Sequence, residues 1–303
     1  MKLLKRLALT TLVTGALVAA AAPVPASAVV NGRDATSPYP GMAVVSIVYP
    51  GLGTAICGGF LVAPRWLLTG AHCVSDDAQA PTPVAMPAGN VTLRTGTVDR
   101  TQGGRTDTGK QVVLYPDWVW GMPTGLPVSD LALVELTKPV PGQVMRLDEL
   151  PADEAGWARI IGWGLTSWPP TTDTTPPTIL QQRDVRILPT NACDGGGIGT
   201  AETCVSGGAC FGDSGSPLLH PQTTHPARTL RWAALGLVSR ETDENAPCSK
   251  PTIYTNLQYR PFRDWITQTI QTNRPTRWIH PQFGAVTPAD RQRLRMLTPP
   301  RHH

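Results

Sequence analysis

Short apolar or alternating runs, each bounded by turn-forming residues, recur along most of this chain. Such runs predict β-strands, and many of them in succession predict an all-β sandwich or barrel. The 29 Gly and 31 Pro residues supply turns between the strands. The predicted strands lie at 43–48, 57–69, 91–95, 111–115, 131–136, 158–164, 178–188, 216–219, 230–239 and 252–256.

One segment near the end of the patterned region has a helical spacing instead. Between Arg260 and Gln271, Trp265, Ile266 and Ile270 fall close to one face. Pro261 stands near the first turn, where its missing N–H is tolerated. We therefore predict a single helix after the last strand.

The N-terminus has the pattern of an export signal. The chain begins with basic residues, continues with an apolar run over 7–22, and reaches the small-residue sequence Ala26-Ser27-Ala28. The alternative, a membrane anchor, is disfavoured because the run is short for a bilayer span and a cleavage sequence follows it. We predict that residues 1–28 are a signal peptide and that the mature protein is secreted, soluble and free of the membrane.

Charge separates the C-terminal segment from the rest of the chain. The full chain carries a formal charge of +4, and loss of the three basic residues in 1–28 leaves +1, which argues against nucleic acid as a partner. Residues 273–303 hold six Arg and one Asp and are rich in Pro. We interpret them as a flexible tail; binding to an acidic surface and trimming after export are the alternatives.

The six cysteines form an even set in a chain with an export signal, which favours disulfides. The alternative, a zinc site, is disfavoured because no Cys-x-x-Cys pair occurs and the closest Cys/His neighbours are His72-Cys73. The cysteines are Cys57, Cys73, Cys193, Cys204, Cys210 and Cys248.

Three segments contain residues of the types used in nucleophilic catalysis. Ser214 lies in the glycine-flanked turn 212–217, His72 follows a predicted strand, and Asp130 precedes the apolar run Leu131-Ala132-Leu133. A serine hydroxyl needs an adjacent base and N–H groups for the oxyanion, and the base needs an acid that fixes its tautomer. Singly, each segment is more often an ordinary loop or strand end than a catalytic one, so the prediction rests on the combination.

The segments 69–73, 129–133 and 212–215 resemble the hallmark segments of chymotrypsin/trypsin-family proteases, in the same order. The resemblance extends from about Val29 to about Gln271 and implies an all-β domain over 29–272. The implied fold is two antiparallel six-stranded β-barrels, about 29–145 and 146–258, packed around an active-site cleft, with a C-terminal helix at about 260–271.

The same resemblance implies the chemistry. Ser214 is the nucleophile, His72 the general base and acid, Asp130 the orienting carboxylate, and the N–H groups of Gly212 and Ser214 the oxyanion hole. The implied protein is a secreted serine endopeptidase without a cofactor that acts on proteins or peptides. It is expected to be a monomer and a target for protein protease inhibitors.

The family's disulfides carry over as Cys57–Cys73, Cys193–Cys204 and Cys210–Cys248. A further family disulfide is missing, and Ala158 and His220 occupy its two positions, so no odd thiol is left. His220 is therefore interpreted as a structural replacement.

Signal cleavage after Ala28 would expose Val29-Val30-Asn31-Gly32, which resembles the N-terminus of activated family members. There the α-amine pairs with the acid before the nucleophile, here Asp213. We hypothesise that export itself completes activation.

Six positions correspond to the substrate-binding pocket of the family. Gly208 stands where trypsins carry Asp, and Thr252 occupies a wall position that is often Gly, so we expect a shallow pocket for small or medium uncharged side chains. Glu241 has three interpretations: it blocks the entrance, offers a carboxylate to a basic side chain, or points to solvent. The pocket residues are Gly208, Ala209, Phe211, Ser239, Glu241 and Thr252.

The sequence disfavours two other function classes and a required metal site. A non-catalytic binding protein usually loses a catalytic residue, and an esterase typically has Gly-x-Ser-x-Gly and another order of the three residues. The stretch 95–108, comparable to a calcium loop of the family, holds Asp99 and Asp107 but no glutamate, so we expect no required metal.

Overall fold

A computed structural model describes residues 29–77, 80, 82–120, 129–142, 144–149, 156–170, 175–224, 229–243 and 245–272. The predicted signal peptide and the 273–303 tail lie outside these residues. Within the described ranges, no helix has both the length and the apolar character needed to cross a membrane.

The described chain is built from short strands and one α-helix. Helix α1 spans Arg260–Thr272 and contains the predicted apolar face. The strands are β1 (Arg33–Asp34), β2 (Met42–Tyr49), β3 (Gly53–Ala63), β4 (Trp66–Thr69), β5 (Val91–Thr95), β6 (Arg105–Leu114), β7 (Ala132–Leu136), β8 (Arg146–Leu147), β9 (Trp157–Gly162), β10 (Gln181–Leu188), β11 (Glu202–Val205), β12 (Pro217–Thr224), β13 (Thr229–Glu241) and β14 (Thr252–Asn256).

The first barrel is a closed antiparallel sheet with the strand order β2-β3-β4-β7-β6-β5. Alternation along the strands fills its interior: in β5, Val91, Leu93 and Thr95 are buried while Thr92 is exposed. The buried aliphatic core includes Val45, Ile47, Leu61, Leu67, Leu93, Val134 and Leu136.

The second barrel has the order β9-β10-β11-β14-β13-β12 and closes through the pairing of β12 with β9. Short β8 adds to β13 in parallel, and β1 adds to β10. The predicted fold class, two six-stranded antiparallel barrels with a C-terminal helix, is confirmed.

Each end of the described chain packs on the barrel that is more distant from it in the sequence. Strand β1 pairs with β10 of the second barrel, although the predicted division assigned residues from 29 onward to the first. At the other end, Phe262 and Trp265 of α1 contact the ring of Tyr115, which follows β6 of the first barrel. A single buried cluster therefore joins both barrels and α1.

Strand bounds differ from the predicted ones where turns or short strands interrupt the pattern. The predicted run 57–69 is two strands, β3 and β4, because Pro64 lies in the turn between them and cannot donate to a ladder. Strand β11 was not predicted, because its four residues are all buried and show no alternation.

Candidate active site

His72 and Asp130 meet at one end of the first barrel. His72 lies in a short 3-10 helix directly after β4, and Asp130 lies just before β7. Because β4 and β7 pair with Thr69 opposite Ala132, the residues beyond these ends are neighbours. The His72 Nδ1 and Asp130 Oδ2 atoms are 2.8 Å apart, and the main-chain N–H of His72 donates to Asp130 Oδ1 at 3.0 Å.

Asp130 is fully buried and receives a third donor from the second barrel. The Ser239 hydroxyl donates to Asp130 Oδ2 at 2.6 Å, and Thr255 Oγ1 donates to the Asp130 carbonyl at 3.0 Å. Sequence reasoning assigned Ser239 to substrate binding and missed this bond, because the two residues are 109 positions apart.

The pair has the charge distribution of a base held by an acid. Burial alone would raise the pKa of Asp130, but the charge of His72 and hydrogen bonds from His72 and Ser239 lower it. Burial would lower the pKa of His72, whereas the charge and hydrogen bond of Asp130 raise it above its usual value. The carboxylate therefore stays ionised beside an imidazole whose Nδ1 it occupies, leaving Nε2 to act on another group.

Two further groups fix the imidazole. The ring of Trp120 packs edge-on to it with centroids 5.6 Å apart. The Cys57–Cys73 disulfide also ties the residue after His72 to β3, with Cys73 Sγ 3.6 Å from Nε2. These two sulfurs and His72 form the one cluster of metal-ligand type in the described part of the chain, but a disulfide sulfur is no thiolate ligand.

The Ser214 turn is held against the strands of the first barrel. Gly212 and Gly215 have φ values of 98° and 74°, which favour glycine. A Cβ on Gly215 would lie 2.4 Å from Thr69 Oγ1 and 2.8 Å from the nitrogen of Gly70, so the turn directly abuts the segment that leads to His72. The N–H of Gly58 also donates to the Ser214 carbonyl at 2.7 Å.

Asp213, next to Ser214, is buried with two backbone donors, and no cationic side chain in the described ranges forms an ion pair with it. The N–H groups of Gly164 and Cys210 donate to its two oxygens at 2.8 and 2.9 Å. Burial outweighs these bonds and raises the pKa of Asp213 to about 7. The predicted partner, the Val29 α-amine, does not exist while Val29 is bonded to Ala28, so that ion pair stays a prediction.

Val29 itself is already inside the second barrel. Its side chain is buried in the apolar cluster that contains Ile160 and Tyr254. The N–H of Val30 donates to the Gly208 carbonyl at 2.8 Å, and the Val30 carbonyl accepts from Arg183 Nη1 at 2.7 Å.

The predicted pocket residues fall into two groups. Gly208 has a φ of 136°, and a Cβ there would lie 2.6 Å from Arg183 Nη1, so the position cannot carry an aspartate without rearrangement. Ala209 is buried, whereas Phe211 is 51% exposed and its ring lies 4.8 Å from that of Trp168. The two positions therefore differ in exposure, and their assignment to a substrate pocket stays a prediction.

Glu241 and Thr252 are cross-strand partners on β13 and β14. The Thr252 hydroxyl donates to Glu241 Oε2 at 3.4 Å, and the Cys248 backbone donates to the same carboxyl group. Burial raises the pKa of Glu241 to about 7. Glu241 is partly buried, and its carboxyl group accepts from protein donors, which argues against the solvent-facing interpretation.

The structure contains the three expected disulfides, Cys57–Cys73, Cys193–Cys204 and Cys210–Cys248. Where the fourth family disulfide is missing, the β9–β12 register places Ala158 across from His220. His220 Nδ1 lies 2.8 Å from Oδ2 of buried Asp148, which gives the histidine a structural contact in place of the lost bond.

The carboxylates of the 95–108 stretch are occupied by protein donors. Asp99 accepts from Thr101 and Gln102, and Asp107 accepts from Thr108, Thr137 and the N–H of Lys138. These bonds hold the pKa of Asp99 down to about 2.

Comparisons with known proteins agree with this geometry. Residues 29–266 match the Trypsin family. The chain is 29% identical over 281 residues to proproteinase E of Bos taurus, covering 82% of this chain and 97% of that protein. It is 28% identical to kallikrein-11 of Homo sapiens (72% and 73% covered) and 27% identical to the serine protease grass of Drosophila melanogaster (80% and 68%). With this match over most of its length, the chain belongs to the trypsin family of serine proteases.

Proposed function

We propose that this protein is a secreted serine endopeptidase that cleaves peptide bonds through Ser214, His72 and Asp130. The observation that carries the proposal is the buried Asp130 carboxylate, which holds His72 Nδ1 at 2.8 Å beside the glycine-flanked Ser214 turn. A solvated surface histidine would not need a buried acid with three donors.

In the proposed mechanism, His72 Nε2 takes the proton of Ser214 Oγ as this oxygen attacks the peptide carbonyl. The N–H groups of Gly212 and Ser214 stabilise the oxyanion; the left-handed Gly212 allows both to point to one side. His72 then gives its proton to the leaving amine, and water resolves the acyl-enzyme by the reverse sequence.

Activation by a new N-terminus is part of the proposal. Asp213 is a buried carboxyl group beside the oxyanion residues, and a freed Val29 amine would supply the cation that balances its charge. The burial of Val29 in the same barrel supports this pairing. N-terminal sequencing of the active secreted protein tests it, and a start at any residue other than Val29 would contradict it.

Export of the protein is supported by residues 1–28 and by the three disulfides, since such bonds persist in oxidising compartments. Protein or peptide substrates and protein inhibitors are the expected partners. The expected preference is for small or medium uncharged side chains next to the scissile bond, because Gly208 offers no acid at the pocket base.

The deciding experiment is labelling of the processed protein with a fluorophosphonate, together with casein hydrolysis. We expect both to occur, and Ser214→Ala to abolish labelling and lower kcat on the order of 10⁶-fold. The matched control is Ser249→Ala, which removes an exposed hydroxyl bonded to Ala246 and should change neither. Labelling without proteolysis would favour an esterase, and absence of labelling a binding protein.

A further inference from the structure

The segment that follows β6 contacts both the acid and the base of the candidate site, although the proposed mechanism uses none of its residues. Its first residue, Tyr115, donates its N–H to the carbonyl of Leu131, the residue after Asp130, at 3.1 Å. Farther along, the ring of Trp120 packs against the imidazole of His72 with centroids 5.6 Å apart. The segment therefore joins the surroundings of the acid to those of the base.

Trp118, in the same segment, reaches the main chain of the short helix that carries His72. Trp118 is 3% exposed, and its indole N–H donates to Ser75 Oγ at 3.1 Å. The Ser75 hydroxyl, also buried, donates in turn to the carbonyl of Ala71, the first residue of that helix, at 2.8 Å. The ring of Trp118 also packs on that of Trp120, with centroids 6.0 Å apart. Trp118 thus acts on His72 along two routes, through Ser75 to the main chain and through Trp120 to the imidazole.

The helix gains from outside support because it is only three residues long, from Ala71 to Cys73. Its internal hydrogen bonds run from the Cys73 N–H to the Gly70 carbonyl at 3.2 Å and from the Val74 N–H to the Ala71 carbonyl at 3.1 Å. Such 3-10 turns have poorer hydrogen-bond geometry than an α-helix. The link through Ser75 gives the Ala71 carbonyl a second donor, and a buried polar chain in which every member is satisfied makes the structure around it rigid.

Neither end of this link is placed to touch a substrate. Trp118 and Ser75 are both buried, and the bond between them joins positions 43 residues apart inside the first barrel. A change at either residue therefore affects the reaction only through the position of His72. Small displacements of a catalytic group are costly, and one of about 1 Å lowers the rate on the order of 10²-fold.

We propose that Trp118 is a positioning residue for the general base His72 and that it acts through Ser75 and Trp120. This inference rests on the proposed function and deepens it by adding residues that hold the base in place. Asp130 fixes His72 at Nδ1 and at the main-chain N–H. The Trp118 links act elsewhere, on the main chain of the helix and on the ring that packs against the imidazole.

The test is a double-mutant cycle between Trp118→Phe, which keeps an aromatic ring but removes the N–H, and Ser75→Ala, which removes the relay. Both variants are measured in the processed protein on a peptide amide. Each should lower kcat about three- to tenfold and leave KM within about twofold, because one buried hydrogen bond is lost and no substrate contact changes. The double variant should lose no more than the worse single variant, since both changes break the same link.

The matched control is Trp66→Phe, which makes the same change at another buried tryptophan of the first barrel, on β4. A general loss of packing would affect Trp66→Phe and Trp118→Phe alike, whereas we expect Trp66→Phe to keep kcat within about twofold of the wild type. Unchanged kcat in Trp118→Phe, or losses that add up in the double variant, would overturn the proposal.

A second readout needs no turnover. In Ser214→Ala protein with isotope-labelled histidine, NMR follows the exchange of the His72 Nδ1 proton with water. This proton should exchange about three- to tenfold faster when Trp118→Phe is added, because the helix opens more readily, and at an unchanged rate when Trp66→Phe is added. An unchanged rate with Trp118→Phe would overturn the inference. Failure of the processed wild-type protein to label with a fluorophosphonate, by contrast, would refute the proposed function and leave the exchange rates to decide on Trp118.

Discussion

At the scale of single residues, the site is organised by carboxyl groups in different electrostatic surroundings. Asp130 has three donors, the main-chain N–H and the imidazole of His72 and the hydroxyl of Ser239, which with the charge of His72 hold its pKa down. Asp213 has two backbone donors and a pKa of about 7. Burial acts on both groups, and the difference lies in the partners. Asp130 is therefore ionised at neutral pH, whereas ionised Asp213 would need a cation to balance its charge.

Asp213 should make the unprocessed protein less stable as pH rises. The pKa of its carboxyl group is about 7 when folded and near 3.8 when unfolded, so the folded state binds the proton more tightly. Stability from this group is fully present below about pH 4 and is lost as pH rises to 7, by up to about 4 kcal/mol. A free Val29 amine should remove this loss.

Thermal unfolding at pH 5 and pH 8 measures the effect on two forms of Ser214→Ala, one that retains Ala28 and one that begins at Val29. The gap in Tm should widen at pH 8, and Asp213→Asn should flatten it. Glu241 titrates in both forms and cancels in the comparison. A gap that is independent of pH would contradict the role assigned to Asp213.

At the scale of elements, Arg240 joins β13 to the loop before β11. Its guanidinium lies 2.5 Å from Glu202 Oε1 and also donates to the carbonyls of Gly196 and Gly197. Since Arg240 follows Ser239 in the chain, this pair positions the strand whose Ser239 hydroxyl donates to Asp130. The arrangement is a positioning device, not part of the chemistry.

Replacing Arg240 by Met should destabilise the protein by about 3–5 kcal/mol, because Glu202 would remain buried and unpaired. Urea unfolding measures this change. The control is Arg260→Met, which removes an exposed partner of Asp264 on α1 and should cost less than about 0.5 kcal/mol. Similar losses in both variants would show that the Arg240 pair is no more than a surface contact.

Some of these elements were predicted from the sequence, and others were not. Strand β5, in which fully buried and more exposed positions alternate, was predicted closely, because burial of one face is a local pattern. Short β1 and β11 were missed, β1 because it has only two residues and β11 because its four residues are all buried and show no alternation. At the site, His72 and Ser214 were predicted from short local motifs. The contact between Ser239 and Asp130 could not be, because it joins residues 109 positions apart.

At the scale of the whole molecule, α1 fastens the two barrels together. Trp265 is fully buried and lies with its ring centroid 5.3 Å from that of Tyr115, within a core shared by both barrels. Because the candidate site has His72 from one barrel and Ser214 from the other, its geometry depends on this shared core.

Trp265→Ala should lower the free energy of unfolding by about 3–5 kcal/mol and reduce activity by misaligning the barrels. Chemical denaturation followed by activity and by fluorescence measures both effects. Trp157→Ala is the control, because this side chain is 41% exposed on β9 and its loss should cost under about 1 kcal/mol. Full activity in a destabilised Trp265→Ala protein would show that the packing of α1 does not control the alignment of His72 and Ser214.

Because β1 pairs with the second barrel and α1 packs on the first, the protein cannot be cut into two self-contained barrels. A cut between 142 and 146 would separate the barrels, but the first fragment would carry β1, which belongs to the sheet of the second. The second fragment would carry α1, whose aromatic face belongs against Tyr115. Each half would thus expose an apolar surface that only the other half covers. We therefore expect the two pieces to reassemble only when partners fused to them meet, with the proposed peptidase activity as the signal.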